Sequence, residues 1–255
     1  LTRSRNSLID ERSKHYVTLT NILDVEFPEF KAFFSNKFSD TALYILDKYK
    51  TVKRISKLSH NDCVLLHNRS RVSPVSKFED IREAAKNTIG HHFDYNDILI
   101  ASSLQIIKYL NIQIDKIEKE IISIMNEINS PIVSIPGISV ISAASIIGEF
   151  GDFSRFDNSK KLCAFCGVEP AIYQSGTSYH EGRMVKHGSP SLRRTLFNTV
   201  PYVTMHNQTF KEFYFKKRSE GKPYRVAQSH VVKKLLRVIY TLEMTRQDFD
   251  PSKLY

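Results

Sequence analysis

Ile135-Pro136-Gly137-Ile138-Ser139-Val140, leading into Ala143-Ala144-Ser145, is an apolar proline–glycine turn feeding a helix of small residues. Gly137 permits backbone torsions denied to other residues, and the N–H groups at the start of the next helix can face a phosphate. Read this way, the segment is a helix-hairpin-helix element whose DNA contacts are Pro136, Gly137 and Ser139. Small side chains would let its two helices approach closely. Ser139 stands where such hairpins usually carry a second glycine, which weakens the grip. An ordinary helix connection would use the same residues.

Ser130-Pro131 closes a long helix that precedes this turn, predicted from Tyr95 to Asn129. Ile107, Ile114, Ile121 and Ile128 recur every seven residues there, with Leu110, Ile117 and Ile124 between them. That spacing is a heptad seam, and it predicts a coiled-coil arm that folds back on the first helix or pairs with another chain. The first helix spans residues 1 to 27, with Leu8, Arg12, Tyr16, Leu19, Leu23 and Phe27 on one side, and stops at Pro28. Short helices around Thr41–Leu46 and Phe78–Ala85 fill the interval. The expected architecture is mainly α. A helical linker and coiled-coil arm occupies 1–130, and a helical domain with the helix-hairpin-helix element occupies 131–255.

Beyond the turn, helices are predicted at Ser139–Phe150, Ser159–Cys166, Ser189–Met205, Gln208–Glu220 and Val226–Arg246, with a frayed tail after Phe249. Ala171-Ile172-Tyr173 and Ser178-Tyr179-His180 permit a short β-hairpin between them. Ser175-Gly176 would lie in its loop, where a serine hydroxyl has little steric cover. Attack on phosphorus needs that hydroxyl deprotonated and the phosphate neutralised. Arg183, Lys186, Arg193 and Arg194 are the candidate cations, and His180 or His187 could move the proton. Taken alone, Gln-Ser-Gly is a common turn. Ser189 followed by Pro190 reads as a helix start, its N-terminus a further possible anion site.

Charge agrees with a polyanionic partner. The formal charge is +10, and the excess is uneven: residues 1–130 carry 19 Lys+Arg against 17 Asp+Glu, residues 131–255 carry 18 against 10. The second half is the expected partner of a polyanion. Three cysteines make no disulfide framework, and a reducing, cytoplasmic setting is expected. Cys163-Ala164-Phe165-Cys166 has the spacing of a zinc half-site, but no second pair accompanies it and zinc is not expected. His91-His92 near Asp94 reads as a polar loop, and the aromatics of Phe210–Phe215 as core. No apolar run is long enough to span a membrane. The polar start Leu1-Thr2-Arg3-Ser4-Arg5 already reads as helix, so the chain is expected to begin partway into a longer protein.

The order of motifs is similar to that of a known family. Ile135-Pro136-Gly137-Ile138, Arg155-Phe156, Gly167-Val168-Glu169-Pro170, Gln174-Ser175-Gly176, Lys186-His187-Gly188 and Leu192-Arg193-Arg194 resemble the C-terminal transposase domain of the IS110 insertion-sequence family, relatives of the Piv-type DNA invertases. The resemblance implies a site-specific DNA recombinase that moves a mobile element, with Ser175 as the serine nucleophile. It also implies an N-terminal RuvC-like domain whose Asp/Glu/Asp/Asp set holds Mg²⁺, a composite active site joined by a coiled-coil arm, homo-oligomers, and in some members a noncoding guide RNA. No such acidic domain precedes Leu1 in this sequence, so the Mg²⁺ ligands are expected outside the chain and the chain is expected to be N-terminally truncated. The alternative is a non-enzymatic DNA- or RNA-binding module that dimerises through its arm.

Overall fold

Pro28 and Pro131 end the two longest N-terminal helices where the sequence places those ends. The computed structural model describes residues 1–36, 38–70, 73–168, 170–175, 178–184 and 187–253, with backbone alone at 170–175 and 178–183. Its helices are α1 (Thr2–Glu26), α2 (Asp40–Tyr49), α3 (Val52–Ile55), α4 (His60–Ser70), α5 (Val75–Lys86), α6 (Asp94–Ile128), α7 (Val140–Phe150), α8 (Ser159–Cys166), α9 (Pro190–His206), α10 (Gln208–Ser219) and α11 (Tyr224–Thr245). Strands β1 (Pro170–Ser175) and β2 (Ser178–Met184) form one antiparallel pair between α8 and α9. The mainly α expectation and its short hairpin both hold. No helix among the described residues is long and apolar enough to cross a membrane.

The chain divides into two compact units, one of residues 5–116 and one of residues 1–4 with 117–255. In the first, Leu19, Ile22, Leu23, Phe30, Ile45, Leu66, Phe78, Ile81, Ile100, Leu104 and Ile107 share a core. Here α1 and α6 lie antiparallel. Glu26 accepts from Asn96 Nδ2 at 2.9 Å, and Asn111 accepts from Arg12 Nη1 at 2.6 Å. Moving 14 residues back along α1 therefore corresponds to moving 15 forward along α6. Part of the heptad seam is consumed inside the chain: Ile107, Leu110, Ile114 and Ile121 are buried, while Ile124 and Ile128 are exposed.

In the second unit, Ile121 and Met125 of α6 join a core with Ile146, Phe150, Leu162, Leu192, Leu196, Leu235 and Ile239. The end of α6 is tied to α11, because Arg246 Nη2 donates to the Ile128 carbonyl at 3.2 Å and the Ser130 hydroxyl donates to Glu243. A 3₁₀ turn at Pro131–Ser134 follows, and the Ser134 hydroxyl accepts from the backbone N–H of Phe249 at 2.7 Å. The chain is thus still anchored at Phe249, beyond the end of α11. Small residues of α7 serve a different partner from the one the sequence suggested. Ala143, Ala144 and Ser145 are buried, but the helix packs against α9. A cleft of about 310 Å³ lies between the last turns of α6 and the side of α7.

Candidate nucleic-acid interface

The site is a β-hairpin held at its root by backbone. Helix α8 starts on Asn158, whose side chain accepts from the N–H groups of Lys160 and Lys161, and ends on Gly167 in a left-handed conformation. Gly167 has φ +64, and a Cβ there would meet the His187 carbonyl oxygen at 1.9 Å. Gly188, at φ +111, faces the Phe165 carbonyl in the same way at 2.1 Å. The two main chains entering and leaving the hairpin therefore cross at a distance that excludes any side chain. Arg193 closes the crossing from α9: its Nη1 donates to the carbonyls of Cys166 and Gly188, both at 3.1 Å.

From that root the register runs Pro170↔Met184, then, past an irregularity, Ile172↔Glu181, Tyr173↔His180, Gln174↔Tyr179 and Ser175↔Ser178. Ser175 is the last residue of β1, five residues beyond the root and about 17 Å along an extended strand. Residues 176–177 between the paired serines, including Gly176, lie outside the described residues, as does Lys186. The side chains of Ser175, His180 and Arg183 lie outside them too. His187 and Arg194 are exposed, while Arg193 is half-buried in its clamp. Arg193 thus shapes the hairpin's root, a task the sequence did not separate from phosphate contact.

Helix α9 begins as read. The Ser189 hydroxyl accepts from the Leu192 N–H at 3.2 Å, with Pro190 as the first helical residue. Its N-terminus already has an anion, which removes it as a phosphate site. Ser189 Oγ donates to Glu149 Oε2 at 2.7 Å, and Arg3 grips the same carboxylate at 2.7 and 2.8 Å. Arg3, with Ser189 and Ser191 adding, holds the Glu149 carboxyl below the ordinary glutamate range against the opposing effect of burial. Neither Arg3 nor Glu149 stood out in the sequence, since their pairing depends on residues 146 apart.

The turn at 135–139 separates into three roles. Pro136 and Ser139 are exposed, and Gly137 is half-buried. Gly137 has φ +94, and a Cβ on it would lie 2.6 Å from the backbone of Tyr202 and Val203 in α9. Packing alone therefore demands glycine here. The Ser139 hydroxyl caps α7 by accepting from the Ser142 N–H at 3.1 Å.

Cys163 and Cys166 are buried in α8, and burial pushes the Cys166 thiol far above its usual range. Among the described residues, three ligand-type side chains converge only at Glu26, His92 and Asp97, in the N-terminal unit. Glu26 there already accepts from Asn96 Nδ2 and the Phe93 N–H. One imidazole and a carboxylate engaged in hydrogen bonds do not suit a hard octahedral Mg²⁺.

Residues 129–215, from the end of the long helix through the hairpin into α10, match the model of the transposase IS116/IS110/IS902 family. That stretch, about a third of the chain, is similar to the transposase domain of that family. The chain is 25% identical over 114 residues to a 43.6 kDa protein of insertion element IS110 from Streptomyces coelicolor, covering 44% of this chain and 28% of that protein. It is 27% identical over 128 residues to a pilin gene-inverting protein of Moraxella bovis, covering 49% and 40%. A transposase for insertion sequence element IS1111A from Coxiella burnetii is 29% identical over 126 residues, covering 48% and 34%. The matches span less than half the length of these relatives. In the matched stretch, the crossing of Gly167 and Gly188 and the Arg193 clamp give a physical reason for glycine and arginine at three of the motif positions.

Proposed function

We propose that this chain is part of a DNA transposase or site-specific recombinase, in which the Ser175 hydroxyl attacks a phosphodiester. The observation that carries the reading is the hairpin itself. Ser175 ends β1 at the tip side of a strand pair whose root is locked by two glycines and Arg193. A nucleophile on such a finger can enter a DNA groove while its base stays on a folded core. The family-model match and two relatives, one named as a transposase and one as an inverting protein, support the same reading.

In the proposed step the serine O–H gives its proton to a nearby base. A Ser175 Oγ–P bond forms, one P–O ester bond of the strand breaks, and the departing sugar oxygen takes up a proton. A recombining strand's hydroxyl then reverses the step, breaking the Oγ–P bond and restoring a phosphodiester. Arg183, Lys186 and Arg194 are proposed to offset the phosphate's charge, with Pro136, Ser139 and Gly176 at the DNA backbone and Gly137 shaping that turn. Mg²⁺, where the complete enzyme needs it, is proposed to be held by ligands outside this chain; bound there it would polarise the phosphate. The chain is further proposed to act as a homo-oligomer, and a guide RNA as a partner belongs to the same reading.

The test is a trapping experiment. A nicked target duplex is incubated with the protein, Mg²⁺ and the N-terminal domain of a full-length relative, and covalent protein–DNA adducts are separated on denaturing gels. An adduct that disappears in Ser175→Ala supports the reading. An adduct that persists in that variant removes Ser175 as nucleophile, and DNA binding with no adduct at all favours a binding module.

A further inference from the structure

Helices α10 and α11 form a hairpin whose tip carries an unusual surface. Between Gln208 and Arg237 stand nine lysines and arginines against two glutamates. One glutamate, Glu220, is held by Lys217 at 2.8 Å, and the other, Glu212, accepts from Gln208. Lys216, Arg218, Lys222 and Arg225 are exposed around the turn. Among the described residues, no carboxylate lies within ion-pair distance of any of them. Their crowding is felt by a neighbour: His230 is pushed below the ordinary histidine range by burial and by Lys217, Lys233 and Lys222.

Aromatic rings stand in the same place. Phe210 is fully buried and Phe213 and Tyr214 pack on the core, as the sequence suggested for this run. Phe215 does not follow them. It is 57% exposed, and Tyr224 at the start of α11 is 50% exposed. Both rings lean edge-on against Tyr214, with centroids at 5.5 and 6.4 Å. Their contact with a ring seated on the core gives both rings a fixed base. Lys216 and Lys222 are felt by Glu220, and Arg218 donates to the Lys222 carbonyl, but the tip keeps a large cationic excess. Large aromatic surface left in water next to such an excess marks a binding surface.

We propose that the α10–α11 tip is a docking surface for single-stranded DNA, its bases stacking on Phe215 and Tyr224 and its phosphates met by Lys216, Arg218, Lys222 and Arg225. Cations alone would serve a duplex equally well. Exposed rings would not, because bases inside a duplex are already stacked and only unpaired ones have a free face. The Arg225 guanidinium lies 5.8 Å from the Tyr224 ring centroid, where it can accompany a stacked base. The assignment to DNA rests on the recombinase reading, since strand exchange exposes unpaired DNA.

Binding of the full chain to fluorescein-labelled dT20 and to a 20-bp duplex, read by fluorescence anisotropy, tests the surface. The double variant Phe215→Ala/Tyr224→Ala is expected to weaken dT20 binding by about tenfold or more, with duplex binding within about twofold. Lys222→Gln with Arg225→Gln should lower the salt dependence for dT20 by about 0.7 for each charge removed. Unchanged dT20 affinity in the aromatic double variant overturns the proposal, as does an equal loss on duplex. Tighter, equally ring-dependent binding of rU20 overturns the assignment to DNA. Absence of any adduct from the parent chain, with ring-dependent dT20 binding intact, strikes the catalytic reading alone, and loss of ring dependence with the adduct intact strikes this surface alone. Both aromatic sites are exposed, and an unshifted thermal melt confirms that the variants fold.

Discussion

Gly137 answers to two demands that act on different atoms, a positive φ and the backbone of Tyr202 and Val203 pressed against its α-carbon. Gly137→Ala should therefore cost about 2–4 kcal/mol from strain and overpacking together, read as a lower urea midpoint. An unchanged midpoint would mean that α9 can move aside. Glu149 makes a pH-dependent contribution. Its carboxyl lies below the ordinary range because Arg3, Ser189 and Ser191 donate to it. A depressed carboxylate contributes stability that is complete above its unfolded value, about 4.3, and that fades as pH falls through the lower folded value. Glu149→Gln should flatten the acid side of the stability curve below about pH 4. Arg3 is 74% exposed, which limits the size of the effect. Equal acid slopes in parent and variant would place the dependence elsewhere. The need for glycine at 137 was legible in the Pro-Gly turn, but its reason was not, because the neighbour that requires it lies 65 residues downstream.

At the scale of elements, helix ends were the most legible feature. Pro28, Ser130-Pro131, Asn158, Gly167 and Ser189-Pro190 act within a turn or so of themselves, so their signals need no knowledge of the fold. Partners of the helices were much less so. The seven-residue repeat in α6 reads the same whether its seam meets another chain or this one, and Ile107, Leu110, Ile114 and Ile121 are buried here. Ser139 offers a discriminating test at this scale, since it caps α7 and was also read as a DNA contact. Ser139→Ala should cost about 1 kcal/mol of stability. Ser139→Asp keeps a capping oxygen and should retain stability, while weakening DNA binding several-fold at low salt if phosphate lies close. Full binding by the aspartate variant would leave Ser139 with the cap alone.

For the whole molecule, each unit holds its own buried cysteine probe. Cys63 lies in the core of residues 5–116, and Cys163 and Cys166 lie in the other unit. Thiol labelling in native buffer should be slow at all three positions, and rise with urea as each core opens. Fast labelling of Cys166 without denaturant would contradict its burial. The candidate site shows how far sequence reaches. Motif order pointed to Ser175, the basic second half and a hairpin between α8 and α9, because strand alternation, turn residues and charge are written locally. The chain alone determined its mainly α character, the bounds of its long helices and its family resemblance between residues 135 and 194. Only the tertiary structure decided that Gly137 and α7 pack on α9, that Arg193 clamps the Cys166 and Gly188 carbonyls, and that Glu149 occupies the N-terminus of α9. The physical reason is range: caps and periodicity depend on neighbours within a turn, whereas close approach and charge pairing depend on which distant segments the folded core brings together.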